Sequence, residues 1–132
     1  MDTDAKMNEV SRLSAGTVFR GEIVAPGDIR MDGRFEGQLR CAGRLVAGER
    51  AVISGDVVCG HVDFGGTMPE GHIYARETLS LKGGSCVLGD LYYKRIQIDL
   101  DARVSGALHI MEDKEFEQIQ ILKNDGNVGK AQ

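Results

Sequence analysis

The sequence predicts an all-β protein, a single-domain parallel β-helix wound in about six turns, and three observations carry that prediction. A core of the form apolar-x-Gly-x-apolar recurs six times, centred on Gly21, Gly37, Gly55, Gly71, Gly89 and Gly106, at intervals of 16, 18, 16, 18 and 17 residues. Aligned on those glycines, the flanking positions stack like on like. The composition agrees: 18 of 132 residues are Gly and only 5% are aromatic, so Val, Ile and Leu must fill the core of a turn-rich chain.

A period near 17 residues cannot hold a pair of helices, but it accommodates three strands of about five residues, each pairing in parallel with the turns above and below at a rise of ~4.8 Å per turn. Two places before the glycine stand Phe19, Phe35, Ile53, Pro69, Val87 and Val104, and two after it Ile23, Leu39, Val57, Ile73, Leu91 and Leu108. Both columns are expected to point inward. Four after the glycine come Ala25, Cys41, Cys59, Ala75, Tyr93 and Ile110, with Cys41 and Cys59 expected to stack as buried thiols. A further side is carried by Ile29 and Met31, Leu45, Val62 and Phe64, Leu79 and Leu81, and Ile96 and Ile98. The corners fall at "APGD" (25 to 28) and at the Gly-Gly pairs 65–66 and 83–84. The glycine column itself is expected on an edge where a side chain would crowd the next turn. An antiparallel sandwich punctuated by glycine does not demand so regular a phase.

Three segments follow: a flexible polar head, residues 1–15; the β-helix body, 16–111; and a flexible charged tail, 112–132. In the tail Phe116, Ile119 and Leu122 recur every three residues, which would allow a short capping helix, but the charge around them favours disorder. No run of apolar residues reaches the ~18 needed to span a membrane, and the start "MDTDAK" lacks the features of a secretory signal. With three cysteines and no CxxC spacing, a reducing, cytoplasmic location is expected. The net charge of -4 argues against nucleic acid as a partner.

Chemistry is not indicated. His61, His72 and His109 fall six, one and three places after their respective glycines, and so do not share a column. Cys41 and Cys59 face inward, and Cys86 has no His or Cys neighbour in its turn. "GGTMPEG" (65 to 71) lacks the spacing of a phosphate-binding loop. No catalytic residue, metal or cofactor is therefore assigned, and the chain is not expected to be an enzyme.

Two kinds of surface stand out instead. Three places after each glycine, Val24, Val58, Tyr74 and Tyr92 form an outward ridge, interrupted by Arg40 and ending at His109, that suits a partner or a neighbouring filament. The ends of a β-helix leave unpaired N–H and C=O groups, which are templates for another chain unless covered. At the N-terminal end the first turn opens on Val18, Phe19, Ile23 and Ile29; at the C-terminal end the last one offers Leu100, Val104, Leu108 and Ile110. Open ends predict end-to-end polymerisation without nucleotide.

The ordered set "GTVFRGEI" (16 to 23), "RMDGRFEG" (30 to 37), "GRLVAGERAVISGDV" (43 to 57), "LSLKGGSCVLGDL" (79 to 91) and "ARVSGAL" (102 to 108) resembles the bactofilins, over residues 16–111. The resemblance implies a right-handed triangular β-helix and an apolar, nucleotide-independent filament. It also implies a scaffold for cell-envelope enzymes or other partners that influences cell shape, in the cytoplasm at the inner face of the membrane. Three features depart from the family pattern. Val104 stands where a phenylalanine is common, "FGGTMPEGHI" (64 to 73) is about one residue longer than the usual pattern and carries Pro69 in a strand slot, and the head offers little apolar surface for direct membrane binding. Two rivals are a non-polymerising adaptor presenting the ridge, and a left-handed β-helix acyltransferase, whose six-residue sub-repeat is absent here.

Overall fold

Alternation of apolar and polar residues over short, β-branched segments gives strands whose inner faces must find one another, and in this chain they do so by winding. The structure is a computed structural model that describes residues 5–6, 10–112 and 114–115. Its strands are β1 (Ala5–Lys6), β2 (Val10–Leu13), β3 (Val18–Ala25), β4 (Asp28–Met31), β5 (Arg34–Ala47), β6 (Val52–Phe64), β7 (Thr67–Leu81), β8 (Cys86–Leu88), β9 (Asp90–Ile98), β10 (Arg103–Ser105) and β11 (Leu108–Ile110). All are linked in one sheet, and every pairing is parallel. The result is a β-solenoid of about six turns with one continuous core.

The columns read from the sequence are the ladder's register. Gly21, Gly37, Gly55 and Gly71 pair in line, as do Ile23, Leu39, Val57, Ile73, Leu91 and Leu108. Ile29, Leu45, Val62, Leu79 and Ile96 form the core line of another side, and Met31, Ala47, Phe64, Leu81 and Ile98 run beside it. Phe19 and Phe35 stack at 5.8 Å between ring centroids. Fully burying one such side chain contributes roughly 1.5–3 kcal/mol, so the core columns dominate stability.

One column needs correction. Pro69, expected in the inward slot two before Gly71, is exposed, and Met68, completely buried, fills that place. The register slips between Val52 and Ser54 where β7 crosses β6, and Thr67 and Met68 pair onward with Cys86 and Val87. The turn has one residue too many and proline has no N–H to give the ladder, so the bulge sets Pro69 outside.

The corners use carboxylates to satisfy backbone donors where the ladder breaks. Asp28 accepts from the Arg44 N–H at 2.8 Å, Asp99 from Gly83 at 3.0 Å and Asp90 from Ala107 at 3.0 Å. Two strands, β1 and β2, fall in the segment expected to be a flexible head. They pair with β3 and β4, Ala5 opposite Ile23 and Leu13 opposite Met31. Head residues 1–4 and 7–9, and tail residues 113 and 116–132 with Phe116, Ile119 and Leu122, all expected to be flexible, lie outside the described residues.

The glycine column sits at a bend. Gly55 has φ +128°, and a Cβ there would overlap the carbonyl oxygen of Gly37. Gly84 has φ +85° but open space around it. Replacing Gly55 by Ala is therefore expected to cost at least about 2 kcal/mol, whereas Gly84→Ala bears the backbone strain alone, about 1 kcal/mol. Urea unfolding of the two variants measures the difference; equal losses would show that the column is not sterically closed.

Candidate assembly surfaces

A column position that is buried in the middle of a solenoid becomes exposed when no further turn follows, whatever the residue. Leu91 is fully buried, and Leu108, its ladder neighbour in the last turn, is 46% exposed. Tyr93 is buried and Ile110 is 74% exposed; Leu81 is buried and Ile98 is 40% exposed. Leu100, in the turn after β9, projects wholly into solvent, and Val104 is half-buried against the core. Beside these side chains, β10 pairs only with β8 and β11 only with β9, which leaves their outer edges without a strand among the described residues. The C-terminal end thus joins apolar surface to unused backbone hydrogen-bonding groups. A covering surface would gain about 1 kcal/mol for each such side chain.

The N-terminal end is built differently. Of its four expected contact residues, Val18 is 39% exposed, but Phe19, Ile23 and Ile29 are buried. β1 lies along Ile23 and Val24, and β2 along Asp28 to Met31. The Asp32 N–H donates to the Leu13 carbonyl at 2.7 Å, and Leu13 itself is buried in the core. Sequence alignment on glycine missed this partial turn because residues 1–15 contain no glycine. The signal present is the spacing of Leu13 from Met31. Ile98, too, is an end residue, for it closes the column that runs from Leu13 through Met31.

The outward ridge is less uniform than expected. Val24 is half-buried, Arg40 forms an ion pair with Glu22 at 3.1 Å, and Val58 is buried rather than exposed. Arg40 and Tyr74 flank Val58 in the ladder, and long side chains one turn away on either side can close over a short one. Beyond it the rings stack, Tyr74 on Tyr92 at 4.7 Å and Tyr92 on His109 at 4.5 Å, within 13° of parallel. Because each ring covers its neighbour's face, the column shows solvent mainly its edges. Burial, followed by the nearby charge of Asp56, pushes the Tyr74 hydroxyl up to about 12.

His72 Nδ1 lies 3.0 Å from Asp56 Oδ1 at the surface, the rings of His72 and His109 both contact Tyr92, and His61 lies in the ladder between Arg44 and Thr78. Among the described residues no group of three His, Cys, Asp or Glu is placed to hold a metal, and no helix is long and apolar enough to cross a membrane. At the N-terminal end Arg30 grips Asp32 through two hydrogen bonds of 2.9 and 3.0 Å, which hold that carboxyl below its usual range. The pair is solvent-exposed and contributes little.

Cys41 and Cys59 stack as expected, sulfur to sulfur at 3.0 Å in the core, and burial raises the Cys59 thiol well above its ordinary value. A thiol reagent at pH 8 is expected to label Cys86 in the native protein and all three cysteines only after unfolding. Rapid native labelling of Cys41 or Cys59 would contradict the buried column.

Compared with known proteins, residues 11–109 match the bactofilin family model, described as polymer-forming cytoskeletal. No curated protein and no solved structure matches the chain.

Proposed function

The chain belongs to the bactofilin family of polymer-forming cytoskeletal proteins, and from that premise we propose that it works by stacking end to end into filaments without nucleotide. The observation that carries the proposal is the last turn. Leu108 and Ile110 are exposed where no further turn follows among the described residues, on strands whose outer edges have no described partner. A second copy supplies both what the side chains and what the backbone lack. Ile98, Leu100, Val104, Leu108 and Ile110 form the contact at the C-terminal end, and the turn containing Val18, Phe19, Ile23 and Ile29 provides the other end.

The sides of the filament would then be free to hold other proteins, cell-envelope enzymes among them, with the Tyr74–Tyr92 column and the neighbouring Val24 and Val58 as one face. The protein acts as a scaffold rather than an enzyme, in the cytoplasm at the inner face of the membrane. Its own partner is a further copy of itself.

Electron microscopy of the purified chain without nucleotide tests the proposal. Filaments are expected, and Leu108→Arg is expected to abolish them while changing unfolding stability by no more than about 0.5 kcal/mol, since the side chain is already half in solvent. Single particles from the parent chain, or undiminished filaments from the folded variant, would refute end-to-end stacking.

A further inference from the structure

Arg12 and Arg30 stand directly opposite each other where β2 pairs with β4. Among the described residues this is the one register pair that sets two full like charges across neighbouring strands; elsewhere a charged residue faces an opposite charge or an uncharged side chain. Like charges so placed weaken a ladder, and an anion held between them removes the penalty. One carboxylate is already there. Asp32 accepts both hydrogen bonds from Arg30, at 2.9 and 3.0 Å, and the charge of Arg12 adds more weakly to what holds that carboxyl low. Arg12 and Arg50 are left with no ion pair among the described residues.

The backbone shapes a hollow around these groups. Ser14 to Thr17 and Gly48 to Ala51 form four-residue turns, closed by N–H to carbonyl bonds of 3.1 and 3.0 Å, whereas only Asp32 and Gly33 separate β4 from β5. The short corner accounts for the interval of 16 residues from Gly21 to Gly37, against 18 from Gly37 to Gly55. Two longer turns thus flank a recessed one, with two ladder steps, roughly 10 Å, between them. Gly48 keeps the floor clear, since a Cβ there would overlap Asp32 Oδ1 and come within 3.0 Å of an Arg30 nitrogen. The hollow measures about 500 Å³, and Arg12, Ser14, Arg30, Asp32, Glu49 and Arg50 line it. Three guanidinium groups meet two carboxylates there, an excess of one positive charge.

We propose that this hollow binds a phosphate group, with Arg12 and Arg50 as its clamps beside the Arg30–Asp32 pair and Ser14 as a further donor. The planar guanidinium fork matches two phosphate oxygens with parallel hydrogen bonds, which makes arginine the suited residue for such a ligand. A phosphate held between Arg12 and Arg30 also offsets their repulsion, so binding fastens β2 to β4. A soluble phosphate and the headgroup of an anionic phospholipid present the same oxygens, and the flanking turns lie at a corner of the solenoid that either can reach. The site is on the side of the molecule and does not depend on how its ends meet. A lipid source would deepen the reading of the protein at the inner face of the membrane.

Equilibrium dialysis of the full-length chain against radiolabelled inorganic phosphate, at constant ionic strength in chloride, tests the site. Dialysis counts bound phosphate per chain whether or not the chains are polymerised, so its outcome is separate from that of the filament experiment. One phosphate per chain is expected, with a dissociation constant on the order of 1 mM. Arg12→Gln and Arg50→Gln are each expected to weaken binding about tenfold, the loss of one charge-assisted contact. Arg20→Gln, outside the hollow, leaves it unchanged. All three side chains are exposed, so the variants keep the fold, which circular dichroism checks. Flotation with vesicles of phosphatidylglycerol in phosphatidylcholine, beside phosphatidylcholine alone, identifies the source. Capture by the mixed vesicles that Arg12→Gln and Arg50→Gln lose assigns a lipid headgroup; phosphate binding without capture assigns a soluble ligand. The proposal is overturned if neither probe is bound, if both clamp variants bind as well as the parent, or if Arg20→Gln weakens binding equally.

Discussion

Each turn of this chain is hydrogen-bonded edge to edge with the turn before it, so residues 15 to 19 apart are held on one line. The spacing along that line is about 4.8 Å, and it decides which residue types can share a column. Inside, Ile, Leu and Val fill layer upon layer, and Phe19 lies on Phe35. At the bend nothing larger than glycine fits. Outside, rings stack from Tyr74 to His109, and opposite charges pair between neighbouring turns, Arg20 with Glu36 directly across the ladder and Glu22 with Arg40 and Arg44 with Asp63 diagonally. Like charges directly opposite would weaken the same ladder.

A column rule that serves the middle of a stack has no answer at its ends. At the C-terminal end the columns stop among the described residues, and residues of the kind that form the core lie exposed beside strand edges with no described partner. At the N-terminal end the chain supplies two short strands of its own, which bury Ile23 and Ile29 and leave Val18 partly exposed. The two ends are thus chemically unequal although both are made by one repeat. Area alone does not convert to affinity, because association also costs translational freedom and side-chain ordering. A junction that adds ladder hydrogen bonds to apolar burial has two independent contributions to set against that cost.

The sides of the solenoid have a different character. Their ion pairs and aromatic column satisfy one another from turn to turn, and the buried thiols lie out of reach within the core. The polymer-forming family to which the chain belongs accords with a molecule whose unsatisfied apolar surface lies at its last turn.

The parallel β-solenoid was legible in the sequence because a ladder in register forces chemically similar residues to recur at the turn length. The six glycines, the core columns and the Cys41–Cys59 stack could all be found by counting. The end residues Leu108 and Ile110 could be named in the same way, since the last member of an inward column must be exposed if nothing follows. Other features depended on three dimensions. Whether Met68 or Pro69 enters the core is decided by where the strand bulges, and Val58 is buried because of its position between longer neighbours across turns. The partial turn of the head was not legible in the glycine column, because residues 1–15 contain no glycine. Sequence alone determined the repeat, since every internal turn obeys the same steric rule; the tertiary structure decided how each end departs from it, since an end is defined by the neighbour that is not there.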